Sequence, residues 1–194
     1  MKYLLALLFT FNAYASPTVH LVHATGPNGL SRSRALQLYN EAAAEIKAAT
    51  GITLKRARWE SIRNPFQHYQ SNFNSFLFVL HYWEDWFAKR GSKTDLRVVI
   101  TSPWIVDGRY YLGGYSSGTC YRRGTAMATA EEKNSDGAIR WSHSRVALTH
   151  EIMHLLGAKH TSDCSMMNYG ALYCANTSIA QSSVGQVSKC SGGW

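Results

Sequence analysis

Four side chains within eleven residues hold the chemistry this sequence can do. His150-Glu-Ile-Met-His-Leu-Leu-Gly-Ala-Lys-His160 places two histidines four apart, a glutamate directly after the first, and a third histidine beyond a glycine. On a helix, positions i and i+4 lie one above the other on the same face, about 6 Å apart at Cβ, so His150 and His154 can close on one metal ion. Glu151 is rotated ~100° around the helix from His150. It is poorly placed as a third ligand and well placed to take a proton from water at the metal. Gly157 can adopt the left-handed conformation that ends a helix, so the chain turns and returns His160 to the ion. Three neutral imidazoles leave one coordination position of a zinc ion open, as catalytic rather than closed structural sites require. The chain has 8 His and 15 Gly among 194 residues, and random placement of such residues produces the full pattern about 4 times in 100,000. Coincidence is therefore a poor explanation.

These residues must be positioned by something. Ser142 to Leu156 has the length and composition of the helix that carries the motif. Upstream, Thr18–His23 reads as a strand, broken at Gly26-Pro-Asn-Gly29. A helix then starts with Ser31 or Ser33 as N-cap, carries Leu36, Leu38, Tyr39, Ala42, Ala43, Ile46 and Ala49 at helical spacing, and closes at Gly51. Ile52–Trp59 alternates apolar and basic residues and is expected as a half-buried strand. Ser75–Arg90, rich in aromatics and ended by Gly91, is expected as a mostly buried helix, with Phe76, Phe78, Tyr82, Trp83, Trp86 and Phe87 in the core. Leu96–Thr101 is the clearest strand, and Tyr110–Tyr115 and Thr125–Thr129 are weaker ones. Helices alternating with strands predict an α/β sheet with helices on its faces. Beyond Gly157 the chain shows little periodicity.

Composition narrows the function classes. Apolar residues at 45% and charged ones at 16% exclude a disordered chain. The formal charge of +8 is scattered, and its densest cluster, Lys55, Arg56 and Arg58, falls in an expected strand, so a solvated face explains it better than a nucleic-acid surface. Lys2, the apolar Tyr3–Phe11 stretch and Ala13-Tyr-Ala15 form a secretory leader pattern, with cleavage expected near Ala15 and a secreted or periplasmic product. The apolar stretch is well short of the ~20 residues that span a bilayer, so no membrane anchor is expected. Cys120, Cys164, Cys174 and Cys190 lack C-x-x-C spacing and suit two disulfides better than a metal cluster. His20, His23, His68 and His81 have no ligand-like spacing and are treated as structural, and His143 as a helix-start or surface residue.

At the motif the sequence resembles the metzincin metalloendopeptidases, whose extended zinc motif is this pattern and whose second mark is a methionine turn beneath the metal. Ser165-Met-Met-Asn-Tyr169 is similar to the S-x-M-x-Y form of astacins and serralysins. That likeness assigns Met167 to the base of the zinc site, with Met166 as the alternative, and Tyr169 to a place near the metal or the oxyanion. The rest of the chain looks more like the adamalysin (reprolysin) branch, although Thr161 stands where adamalysins usually carry Asp, astacins Glu and matrixins Ser. The resemblance implies an α/β fold, α+β in detail. It would be zincin-like, with a twisted mixed sheet, two large helices, the active-site helix and a small irregular C-terminal subdomain bearing the Met-turn. After a leader at 1–15, residues 16–194 would form a single catalytic domain, with subdomains to about 157 and from 158 to 194. The resemblance also implies one catalytic Zn2+, a protein or peptide substrate, no nucleic-acid partner and a monomer. It places Gly113-Gly-Tyr115 on the strand that lines the cleft. It favours a Cys120–Cys190 bond, and with nine residues separating Cys164 from Cys174, a local bridge there completes one of three connectivities. The function expected is a secreted zinc endopeptidase in which Glu151 activates the attacking water. The alternative is a secreted zinc-containing binding protein or toxin.

Overall fold

The structure, a computed structural model, describes residues 16–26, 29–66, 75–102, 104–106, 109–111, 113–117, 123–130, 137–162, 165–167 and 178–190. Its centre is a five-stranded mixed sheet. β1 (Thr18–Thr25) lies between β2 (Lys55–Arg63) and β3 (Leu96–Thr101), all three parallel. β7 (Gly124–Thr129) continues the parallel set beside β3, and β6 (Gly114–Ser116) closes the far edge antiparallel to β7. β4 (Trp104–Val106) and β5 (Arg109–Tyr111) pair separately as a two-stranded antiparallel ribbon. The helices are α1 (Arg32–Thr50), α2 (Ser75–Lys89), α3 (Gly137–Leu155) and α4 (Gln181–Cys190).

The strand order dictates where the helices go. The β1-to-β2 crossover steps one way across the sheet and the β2-to-β3 crossover steps back past β1, so right-handed connections place α1 and α2 on opposite faces. The cores agree. Val19, Leu21, Val98, Ile100, Ala126 and Ala128 pack with α1 and α3, whereas Val22, Ala24, Val99 and Met127 pack with α2 residues Val79, Trp83, Trp86 and Phe87. Successive residues on each strand thus serve different layers, as the twofold period of a strand requires.

α1 follows from its sequence closely. The Ser31 side chain accepts from the Arg34 backbone N–H, and Gly51 at φ 77 ends the helix with its N–H on the Lys47 carbonyl. Other expectations shift. The strand expected at Ile52–Trp59 begins at Lys55, where pairing with Thr18 starts, and it is a mostly exposed edge strand. Ile52 and Leu54 are buried just before it. The expected Tyr110–Tyr115 strand is divided between β5 and β6. α2 is not buried all round: Leu77 and Phe78 are 44% and 55% exposed, so the aromatic run is amphipathic, with Phe78 at its outer margin against Phe66. The tail carries α4, whose Ser, Gly and Gln content hid its helical pattern.

α3 is the helix most enclosed by the rest of the chain. From Val146 to Leu155 every residue is buried, including the polar Thr149, His150, Glu151 and His154. On its outer side Arg145 pairs with Glu45, the Trp141 indole N–H donates to Glu41 at 2.8 Å, and Arg34 lies 3.9 Å over the Trp141 ring. These contacts lock α3 to α1 along a polar seam. Among the described residues no helix is long and apolar enough to cross a membrane.

The two helix margins make a direct test. Leu148→Ala, at a fully buried position, is expected to lower unfolding free energy by about 2–5 kcal/mol, while Phe78→Ser should change it by about 0.5 kcal/mol or less. Urea denaturation of both variants measures this, and equal losses would show that Phe78 belongs to the core.

Candidate metal centre

Buried polar groups on α3 need partners, and their partners reveal the site. His150 and His154 stand one helical turn apart. The helix then ends at Gly157, whose φ of 111 no other residue type holds comfortably, with the Ala158 N–H bonded to the Met153 carbonyl at 2.9 Å and the Gly157 N–H to that of His154. This reversal returns the exposed His160 to the helix face. The three Nε2 atoms form a nearly equilateral triangle: 3.0 Å between His150 and His154, and 3.2 Å from each to His160.

The outer ring nitrogens decide what that triangle is. His150 Nδ1 lies 2.7 Å from the Met166 carbonyl and His154 Nδ1 lies 2.8 Å from the Ala158 carbonyl. A carbonyl only accepts, so each Nδ1 carries the proton and each Nε2 is a bare lone pair. Two lone pairs 3.0 Å apart repel one another unless a cation lies between them. Tetrahedral zinc with Zn–N bonds of ~2.0–2.1 Å separates its nitrogen ligands by about 3.3–3.4 Å, which this triangle approaches closely. The donor set therefore fits zinc. Among the described residues these three histidines are the one group of His, Cys, Asp or Glu side chains that could hold a metal.

Electrostatics keep the donors ready. Burial pushes His150 down to about 4, against the opposing hydrogen bond to Met166, and burial also lowers His154 and His160. All three are neutral ligands at neutral pH. The segment supplying the Met166 carbonyl is fixed in turn: its N–H donates to the Ser178 carbonyl, and the Thr161 N–H donates to the Met167 carbonyl, each at 3.0 Å.

Glu151 packs against β6. Its carboxyl is buried, and that burial pushes it up to about 8, with a hydrogen bond from the Ser116 side chain opposing the shift. A divalent cation on the adjacent histidines favours the ionised carboxylate. Room for this side chain depends on Gly114, where a Cβ would stand 2.4 Å from Glu151 Cγ and 2.7 Å from the Met127 carbonyl oxygen.

The structure thus brings His150, His154 and His160 together and places Glu151 beside them. Met166 and Met167 are both fully buried, Met167 within the main core with Ile152 and Leu156. Tyr169, His68, Cys120, Cys164 and Cys174, together with the Cys190 side chain, lie outside the described residues, as does the 1–15 leader. Three other histidines have partners the sequence did not disclose. His20 bridges Ser92 and Glu60 at 3.0 and 2.9 Å, His23 spans Ser61 and the Leu30 carbonyl, and His81 pairs with Glu84. Two site features were not visible in the sequence: the carbonyls that fix the histidine tautomers and the Ser116 contact to Glu151. The alternation of Gly114 and Ser116 along one strand is the signal that points to the second.

A family model, Reprolysin_5, described as metallo-peptidase family M12, matches residues 18–194. Among solved structures, metalloproteinase-II from Bacteroides fragilis is similar at TM-score 0.61 and 18% identity over 91% of this chain, which spans 53% of that protein's length. Archaemetzincin from Methanopyrus kandleri is similar at TM-score 0.61 and 17% identity, covering 90% of this chain and 95% of that one. Archaemetzincin from Archaeoglobus fulgidus, crystallised with malonate, gives TM-score 0.54 and 11% identity, covering 87% and 99%. At these identities the likeness shows a shared fold, that of the zincin-like metallopeptidases. No curated protein matches the sequence.

The lowered histidine values fix the sign of a pH effect. Their folded values lie below the ordinary 6.5, so the stability conferred by neutral imidazoles is fully present above pH 6.5. It is lost as pH falls, through about 4 for His150. Zinc affinity, measured by competition with a chromophoric chelator, is expected to be nearly flat from pH 8 to 6.5 and to drop below it. His160→Ala should remove most bound zinc at neutral pH by elemental analysis, and full occupancy in that variant would refute the third ligand.

Proposed function

Because the chain belongs to metallo-peptidase family M12, we propose that it is a zinc-dependent endopeptidase of metzincin type acting on protein or peptide substrates. One observation carries this: three histidines whose Nε2 atoms converge, those of His150 and His154 held bare by their carbonyl partners, stand next to a buried glutamate that is not one of the converging groups. When bound, zinc supplies a Lewis acid that polarises the scissile carbonyl and makes water more acidic. The chain supplies the rest. His150, His154 and His160 hold the ion and leave a coordination position open. Glu151 takes a proton from the attacking water and returns it to the leaving amine.

β6 completes the arrangement. It is the antiparallel edge of the sheet and has β7 on one side only among the described residues, so its outer edge offers backbone groups to an extended peptide. That would lay the scissile bond alongside Glu151. Met167 is proposed as the Met-turn residue. Its full burial beneath α3 and the Met166 carbonyl bond to His150 support that role. Export after cleavage near Ala15 is proposed from the leader pattern in residues 1–15. A protein that acted by binding alone would have no use for Glu151. Burying a carboxyl beside the ligands carries a desolvation cost, and proton transfer gives that cost a purpose.

Glu151→Gln keeps size and polarity and removes the base. It is expected to retain one zinc per chain while hydrolysis of casein or a quenched-fluorescent peptide library falls by ~10²–10⁴-fold. Chelator treatment should abolish wild-type activity, with zinc restoring it. Near-wild-type turnover in the glutamine variant would overturn the mechanism.

A further inference from the structure

The sheet has a second edge, β2, and its chemistry differs from that of β6. Among the described residues β2 pairs only with β1, and Lys55, Arg56, Ala57 and Arg58 are all exposed. Val19 pairs with Arg56 and His20 with Arg58, so Ala57 is the extra residue of a β-bulge. The bulge resets the parity of the strand. Lys55, Arg58 and Ile62 pair with Thr18, His20 and Ala24 on the α2 side of the sheet, whereas Arg56 pairs with Val19 on the α1 side. Cations therefore flank the edge on both faces.

The helices add one more to each face. Arg90, just past the end of α2, lies 3.9 Å over the Trp86 ring and 3.9 Å from Glu60, and Arg32, which opens α1, lies 5.8 Å over the Trp59 ring of β2. A guanidinium stacked on an indole is held in place and keeps its charge. Against these five cations stands the carboxylate of Glu60, already engaged by Arg58 at 2.7 Å and His20 at 2.9 Å. Toward its other end the same edge becomes apolar. Ile62 packs on the cluster that contains Phe66, and the Phe66 ring lies 6.1 Å from that of Phe78 and 4.8 Å from that of Tyr82. Leu77 and Phe78 stand exposed there.

Charge on an edge strand keeps it from pairing with a second copy of itself, since two such edges would meet cation to cation. That purpose needs neither stacked guanidinium groups nor an aromatic patch. Together these features complement one kind of chain, which is extended, acidic along most of its length and apolar at one end. We propose that β2 is a docking edge for such a segment of a partner protein, which adds to the five-stranded sheet as a further strand. Its backbone pairs with the outward N–H and C=O groups of β2, its carboxylates meet the cations on either face, and its apolar end covers Phe78. The two edges of the sheet are four strand spacings apart, about 19 Å, so a partner on β2 leaves β6 and the metal centre open.

Fluorescence anisotropy and amide hydrogen exchange test this on the zinc-loaded Glu151→Gln protein, in which the probes stay intact. The probes are a peptide of alternating Glu and Thr with Phe at each end, the same peptide with every Thr replaced by Pro, and the same with every Glu replaced by Lys. The Glu-Thr peptide is expected to bind, more weakly as salt is raised, and to protect amides within 55–63. The proline peptide keeps the charge but lacks the donors a strand needs, and should bind at least about tenfold more weakly. The lysine peptide should not bind. Adding Lys55→Glu with Arg56→Glu should weaken binding by about tenfold, and Phe78→Ser by about fivefold, the scale of covering half a phenylalanine, each with Tm unchanged. If the double reversal lowers Tm, Lys55→Gln with Arg56→Gln carries the same readout with a smaller loss. Absence of binding, or protection on β6 instead of β2, would overturn the proposal. Equal binding of the threonine and proline peptides would overturn it too, because charge alone would then suffice, as for a nucleic acid or another polyanion. Protection of 55–63 that appears without peptide and vanishes on dilution would assign the edge to a second copy and overturn it as well. No readout depends on turnover, so a failure of the peptidase assignment leaves this test intact.

Discussion

Two backbone carbonyls set the chemistry of this molecule. By accepting from the Nδ1 atoms of His150 and His154, Met166 and Ala158 force both inner nitrogens to be bare, and the backbone then presses those nitrogens to within 3.0 Å of each other. Without a cation the arrangement is repulsive. Much of the nearby structure maintains it. The Gly157 turn brings both the Ala158 carbonyl and His160 into place, the Ser178 carbonyl holds the N–H of Met166, and the partly buried polar seam between α1 and α3 prevents the helix from rotating to relieve the contact.

The same enclosure explains Glu151. A carboxyl at this depth is disfavoured as an anion unless positive charge or donors lie nearby, and beside it stands a triangle of nitrogens suited to one cation. Metal and base are thus coupled through burial. The ion that the histidines gather would also stabilise an ionised Glu151 beside them, and the edge strand β6 contributes the glycine gap that admits the glutamate.

What the sequence disclosed and what it withheld divide along the range of the interactions. The histidine spacing, the Gly157 turn, the Ser31 and Gly51 caps and the Leu96–Thr101 strand are set by neighbours within a turn or two, and local periodicity displays them. β2 was displaced because Ile52 and Leu54 look like strand residues but pack before the pairing with Thr18 begins at Lys55. Phe78 stands outside the core the aromatic run suggests, because composition cannot say which side of α2 meets the sheet. α4 was missed because its helix rests on packing against α1 rather than on residues of strong helical propensity. The Ser116 contact lies beyond any local pattern, since strand and helix meet across 35 positions of sequence and only the sheet topology brings them together.

X-ray absorption at the zinc edge of the purified protein, carrying one equivalent of zinc at neutral pH, tests the central claim most directly. Three histidines converging through their Nε2 atoms predict a first shell of three imidazole nitrogens and one oxygen at ~2.0–2.1 Å. A sulfur scatterer at ~2.3 Å would contradict it, because it would place a cysteine in the shell and close the coordination position that the proposed hydrolysis requires.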